Sequence, residues 1–459
     1  MNLAPELRAA IEKAGQSHLL EYASSPLLAK QLEAIDWESL PGLIERYVVN
    51  KNAMTIPEDL QPAPYFPLVP RNRSEEEKKA QAEALGVEIL KSGKAACLTV
   101  AGGQGTRLGF DAPKGTYPIG PVSGRTLFEY FAQSIARAEE KFGAPIRWYV
   151  MTSALNREAT ENFFRERDYL GLRKDQLFFF TQGTMPAIGY DGKLLLSSPD
   201  SLALSPDGHG GTLLALRKSG ALEQMKKDGV EYISYFQVDN PLVPVVNPLF
   251  IGMHALEEAD MSAIMLAKTN PFEKLGNFCV TGGHLEIIEY SDLPAELAES
   301  RNPDGSLRFI SGSPAIHVIS RAFVEKLTAA GKLELPWHRA DKKIPTIAEP
   351  KPEAPNGVKL ESFIFDALAL AGKTLVLEGD RAEMFAPTKN PTGVDSVESC
   401  REMLIARDLR RLRAAGVTVE ENVKIELSPR KVFDDEDAVQ LAKELKLEKL
   451  PRGTEAVIG

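Results

Sequence analysis

The stretch best equipped for chemistry is Val100-Ala-Gly-Gly-Gln-Gly-Thr-Arg-Leu-Gly109, followed closely by Pro113-Lys-Gly115. Gly102, Gly103, Gly105 and Gly109 let the backbone turn tightly and bring its N–H groups close to a phosphate. Arg107 adds a planar, forked cation and Lys114 a compact one. The spacing matches neither common glycine loop. A P-loop requires GxxxxGK[ST], and here the lysine is followed by Gly115. A dinucleotide fingerprint requires GxGxxG, and counted from Gly103 the third glycine falls one place late.

Other reactive side chains narrow the chemistry. Cys97, Cys279 and Cys400 are far apart and odd in number, so they suit neither a disulfide framework nor a CxxC metal site. Buried, inert thiols are expected. The six histidines form no HExxH or HxxxH pair, which argues against a zinc enzyme. Asp239 follows a strand-like run in Phe236-Gln-Val-Asp-Asn240, a place where an acid caps a helix or holds a cation.

The glycine loop starts directly after a short apolar run, Ala95–Ala101, which reads as a buried strand. Similar runs follow at 146–152, 177–181, 232–238 and 262–267, and helical segments such as 127–142 and 157–168 separate the earlier ones. This alternation predicts an α/β fold around a doubly wound, mostly parallel sheet, whose ligands sit beyond the carboxyl ends of the strands. Residues 1–90 read as a mostly helical region, with Ser74 as an N-cap and a proline-rich connector over 57–70. Residues 91–335 form the expected catalytic domain, and 336–395 complete it with a lysine-bearing loop. A small C-terminal domain, 396–459, carries a basic helix near 401–415 and two strands, 416–419 and 423–427, expected to pair.

Composition sets the outer limits. A 459-residue chain with 43% hydrophobic and 26% charged residues is ordinary for a globular protein, and too long for one core. No apolar run reaches the roughly 18 residues of a membrane helix, and the charged N-terminus lacks a secretory signal. A cytoplasmic protein without membrane partners is expected. With 64 acidic against 54 basic residues the net charge is −10, unlike a nucleic-acid-binding surface. Any phosphate ligand must therefore be held by a few placed cations and amides.

The segment Leu98-Thr-Val-Ala-Gly-Gly-Gln-Gly-Thr-Arg-Leu-Gly-Phe-Asp-Ala-Pro-Lys-Gly-Thr-Tyr-Pro-Ile-Gly120 resembles the signature of the eukaryotic-type UDP-sugar pyrophosphorylases, the N-acetylglucosamine branch most of all. Further blocks keep that family's order: Thr181–Ala187, Ser205–Gly211, Val238–Val243, Lys268–Pro271, Ile288–Ser291, Lys342–Pro345, Pro355–Lys359 and Phe385–Asn390. The resemblance covers about residues 90 to 392. It implies a glycosyltransferase-A-like nucleotide-binding core and a uridylyltransferase acting on UTP and a sugar 1-phosphate with Mg²⁺ or Mn²⁺.

By the same resemblance, Arg107, Lys114 and Lys389 supply charge to the reacting phosphates, and Asp239 holds the metal. The loop of Gly102, Gly103, Gly105 and Thr106 cradles the nucleotide. Gln182, whose amide offers both donor and acceptor, reads the uracil edge. Gly208, His209 and Gly210 form a second nucleotide loop. Gly276, Glu289 and Ser313 contact the sugar. Two positions depart from the N-acetylglucosamine pattern: His209 and Ser313 each stand where that branch has Asn. A plain hexose 1-phosphate is therefore the alternative substrate, and a non-catalytic UDP-sugar binder a remoter one.

Overall fold

The computed structural model describes residues 3–50 and 56–459. Residues 1, 2 and 51–55, which the N-terminal helical reading also spanned, lie outside the described residues. The runs expected to be strands are strands: those at 95–101, 146–152, 232–238 and 262–267 are almost wholly buried, and the edge run at 177–181 is half-buried. Numbering only the strands of the large sheet, these are β1 (Gln61–Pro62), β2 (Ala95–Val100), β3 (Arg147–Thr152), β4 (Leu177–Thr181), β5 (Tyr232–Gln237) and β6 (Met261–Ala267). The rest are β7 (Gly276–Thr281), β8 (His284–Ile288), β9 (Ser311–Ser313), β10 (His317–Ser320) and β11 (Thr374–Glu378).

The order is β1-β7-β9-β6-β10-β5-β2-β3-β4, with β8 on β7 and β11 on β6. The core β5-β2-β3-β4 is parallel throughout. The expectation of a mostly parallel sheet needs correcting beyond that core, because the sheet as a whole is mixed. β10 runs antiparallel between β5 and β6, and β9 antiparallel between β6 and β7. Strands β9 and β10 lie along one edge of β6 as a single course broken at Pro314-Ala315, where Ala315 has a φ of 58°. The small, polar sequence Ser311-Gly-Ser-Pro-Ala315 carries no alternation that would announce a strand.

Helix Leu127–Phe142 starts in a Thr126/Glu129 capping box and ends at Gly143 with φ 72°. It lays Phe128 and Phe131 against Trp148, Phe164 and Phe236 beneath the parallel strands. The buried indole of Trp148 donates to Thr99 Oγ1 at 2.8 Å, so the core holds no unmet donor there. Helix Arg73–Lys91 is capped by Asn72, which accepts from Glu75 N, and not by Ser74, which lies inside the first turn.

Two compact units emerge, both assembled from separated segments. The first comprises Met1–Ile56, Gln182–Thr212 and Glu334–Asp366, and the second comprises Pro57–Thr181, Leu213–Leu333 and Ala367–Gly459. In the first unit, helices Pro5–Lys13 and Pro26–Glu33 share an apolar cluster (Ile11, Leu28, Leu32, Ile188, Val358, Leu360) with the antiparallel strands Ile188–Gly189, Gly357–Ser362 and Trp337–Lys342. The end of the second unit has its own cluster, including Leu412, Ile425, Leu427 and Leu441. Its two short strands do not pair with each other, contrary to expectation. Thr418–Val419 pairs in parallel with Lys449–Leu450, and Lys424–Leu427 with Glu455–Ile458. Helix Asp435–Glu444 lies between the halves of each ladder in sequence and makes the parallel crossover.

Candidate active site

In the second unit the glycine loop leaves β2 and closes on itself. Gly105 N donates to Ala112 O and Lys114 N to Gly103 O. Asn156, fully buried, donates its amide to Ala101 O at 2.9 Å and to Gly103 O at 3.2 Å, fixing the loop's root. Gly103 is exposed with open space where a Cβ would stand, so its backbone is accessible. Thr106 and Arg107 sit exposed on a short 3₁₀ turn. A Cβ on Gly115 would lie 2.2 Å from the ring of Phe128, so only glycine lets Lys114 descend at this point.

Lys114 reaches Asp239, Nζ to Oδ2 at 3.1 Å. Asp239 lies just beyond the carboxyl end of β5 and is 8% exposed. Burial opposes its charge, but the ammonium groups of Lys114 and Lys389 outweigh burial and hold its carboxyl below the ordinary value. Its carbonyl accepts from Thr388 N at 2.9 Å and Thr388 Oγ1 at 3.1 Å. Its neighbour Asn240 donates to Met384 O and accepts from Ala386 N. These bonds pin the segment 384–388 alongside Asp239 and so deliver Lys389, whose own N–H donates to Asp395 O at 2.7 Å. Arg107, by contrast, makes no hydrogen bond or ion pair with these residues.

Three further candidates meet on the same sheet. Gly276 and Ser313 are register partners across β7 and β9. A Cβ on Gly276 would stand 2.5 Å from Ile287 Cγ2, so glycine is what lets Ile287 pack here, and 3.5 Å from Glu289 Oε1, which puts the Glu289 carboxylate next to Gly276.

In the first unit, Gln182 is buried at 8% exposure, and its amide donates to Gly208 O at 3.4 Å, which joins the two candidate nucleotide loops. Gly208 has φ +87°, and a Cβ there would lie 2.2 Å from Ser362 O. Gly183 and Gly211 flank the Asp207 carboxylate so closely that a Cβ on either would come within 2.2 or 2.3 Å of it. His209 stacks on Phe363 with centroids 5.1 Å apart, and its Nδ1 accepts from Ile364 N at 3.1 Å. The ring is therefore neutral with its proton on Nε2. Burial, then the nearby His338, pushes its pKa down to about 4.

Sequence reasoning missed Asn156, Thr388, Asn240, Asp207 and Asp395. Asp207, Asn240 and Thr388 lie inside the family-like blocks and could have been found there. Asp395 could not, since it acts through a main-chain carbonyl in a left-handed turn with φ 57°. Burial raises the Asp395 carboxyl, with Lys389 pulling it back.

The sequence profile of the UTP–glucose-1-phosphate uridylyltransferase family matches residues 38–450. The chain belongs to this family. It is a family of nucleotidyltransferases, the UDP-sugar pyrophosphorylases, which bears out the resemblance read from the motifs. The human UDP-N-acetylhexosamine pyrophosphorylase-like protein 1 is 36% identical over 437 residues, covering 90% of this chain and 86% of that one. The UDP-N-acetylglucosamine pyrophosphorylase of Saccharomyces cerevisiae is 34% identical over 394 residues, covering 83% and 82%. Among solved structures, a uridine diphosphate N-acetylglucosamine pyrophosphorylase of Trypanosoma brucei in complex with an inhibitor superposes with a TM-score of 0.82 at 25% identity, covering 97% of both chains. Among the described residues, no helix of this UDP-sugar pyrophosphorylase-family chain is long and apolar enough to cross a membrane.

Proposed function

We propose that the chain transfers a uridylyl group from UTP to N-acetylglucosamine 1-phosphate, giving UDP-N-acetylglucosamine and pyrophosphate. A phosphate oxygen of the sugar 1-phosphate attacks the α-phosphorus of UTP, and pyrophosphate leaves in line. Such a transfer needs positioning and charge compensation more than a protein nucleophile. Arg107, Lys114 and Lys389 compensate the phosphate charge, and the amides of Gly102, Gly103, Gly105 and Thr106 cradle it. Gln182, with Gly208 and Gly210, reads the uracil edge. Glu289, beside Gly276 and Ser313, accepts from sugar hydroxyls.

The observation that carries this reading is the cluster of Lys114, Asp239 and the Lys389 segment beyond the end of β5, next to a glycine loop with an accessible backbone. Among the described residues no three His, Cys, Asp or Glu side chains group to cage an ion. A single buried carboxylate nevertheless suits Mg²⁺ or Mn²⁺, since such ions keep several waters and share phosphate oxygens. Asp239 is the residue that would hold it, and the ion would neutralise developing charge on the transferred phosphate.

The relatives named for N-acetylglucosamine support the acetylated sugar. Ser313 is shorter than the amide it replaces, which favours measurable use of a plain hexose 1-phosphate as well. Retention of Arg107, Lys114, Asp239 and Lys389 argues against a non-catalytic binder. Pyrophosphate release from UTP with N-acetylglucosamine 1-phosphate and glucose 1-phosphate tests the reading. We expect turnover of both, the acetylated sugar being preferred, and Ser313→Asn should widen that preference. Absence of pyrophosphate release with either sugar refutes the activity, and a shift of the variant toward glucose refutes the role of Ser313.

A further inference from the structure

Helix Val397–Ala414 and the two parallel ladders after it take no part in the reaction as drawn above. Their polar side chains nevertheless reach two segments on which that reaction depends. The first is 118–126, which follows Lys114 by only four residues. Glu426, fully buried, accepts from Val122 N at 3.0 Å, Ser123 N at 2.8 Å, Ser123 Oγ and Arg125 Nη1 at 2.8 Å. Arg401 donates to Pro118 O at 2.9 Å and to Ile119 O at 3.2 Å. The chain from there back to Lys114 is short and tied: Leu127 N donates to Tyr117 O, and Tyr117 N to Lys114 O.

The second segment carries Lys389. Arg410 donates to Ala382 O at 2.6 Å and pairs with Glu383 at 2.8 Å, and Arg411 reaches the other oxygen of Glu383 at 3.2 Å. At its far end the segment runs into the N-cap of the same helix. Ser396 caps that helix, one residue after Asp395, whose carbonyl receives Lys389 N and Asn390 N. A single element thus holds both lysine-bearing segments, with Asp239 bonded to each of them.

We propose that this C-terminal module is a clamp that sets the spacing of Lys114 and Lys389 about the reacting phosphates. Glu426 and Arg401 are positioning residues that act through Lys114, and Arg410 acts through Lys389. The inference rests on the phosphate-binding roles proposed above for the two lysines. A buried carboxylate facing four donors specifies one geometry, and charge-assisted bonds tolerate little displacement. A shift of about 1 Å in a charge-bearing group costs on the order of a hundredfold in rate, so a partial loosening should be visible.

The test is a cycle of variants, read by steady-state pyrophosphate release with UTP varied at saturating sugar 1-phosphate. Glu426→Gln and Arg401→Met are each made in the natural chain and with Lys114→Ala. In the natural chain each should lower kcat by about tenfold while changing the KM for UTP by less than about threefold. With Lys114→Ala, the same changes should lower kcat by less than about twofold, because the group they position is gone. Arg401 lies at the partly exposed edge, so its variant serves if Glu426→Gln does not fold. Equal losses in both backgrounds, or none in the natural chain, overturn the clamp. Full turnover by Lys114→Ala alone instead overturns the reading on which the clamp rests.

Discussion

The Lys114–Asp239 pair gives the sharpest test of the site's electrostatics. Its side chains are 15% and 12% exposed, and the charged atoms are 3.1 Å apart. At an effective dielectric of about 20 the gross attraction is on the order of 5 kcal/mol, much of it offset by desolvation. Removing one partner strands the other charge. Asp239→Asn leaves Lys114 near Lys389 without a shared counter-charge, and should cost about 3 kcal/mol. Lys114→Met should cost less, because Lys389 still acts on the carboxylate. Removing both should restore part of the loss, giving a coupling of about 2 kcal/mol. Trp148 lies in the core of the second unit, while Trp37 and Trp337 belong to the first. With the latter two changed to Phe, urea unfolding followed by fluorescence reports this unit in all four chains. Additivity within about 0.5 kcal/mol refutes the pairing. The sign with pH follows. A carboxyl held low when folded stabilises above its unfolded pKa of about 4, and loses that contribution as pH falls through the folded value. Lys114→Met should therefore flatten the acid limb of the stability curve.

Two other perturbations probe the loops. Arg107→Ala should lower kcat by on the order of a hundredfold, and because Arg107 is exposed the melting temperature should stay put; near-normal pyrophosphate release would contradict its role. His209 takes up its proton near pH 4 when folded and near 6.5 when unfolded, so stability should fall as pH drops through that window and level off above it. His209 is partly exposed, so solvent screening moderates the effect to about 1–2 kcal/mol. His254, also held neutral by burial, contributes equally to both chains and cancels in a comparison with His209→Asn. Parallel pH–stability curves for the two proteins would show that the ring is not held neutral by the fold.

Much of the candidate site was legible because it is local. The glycine loop, the strand before it and the helix Leu127–Phe142 lie within about one supersecondary unit, where periodicity, caps and glycine spacing speak directly. The same holds for β5 and Asp239 just past its end. What the sequence could not show is carried by residues far apart along the chain. No pattern says that Gln182–Thr212 and Glu334–Asp366 fold with the N-terminal helices, since that assignment comes from shared apolar burial of Ile188, Leu360 and Leu32. No pattern says that Ser311–Ser313 is a strand bringing Ser313 beside Gly276, because its small polar residues gain their partners only from β6 and β7. Glu426 reads as one acid among many until its carboxylate is found against Val122, Ser123 and Arg125, some 300 residues earlier. Residue types and spacing along the chain determined which groups are candidates for binding phosphate. Only tertiary packing decided where those groups stand, because a buried charge is held in place by whichever distant donors desolvate with it.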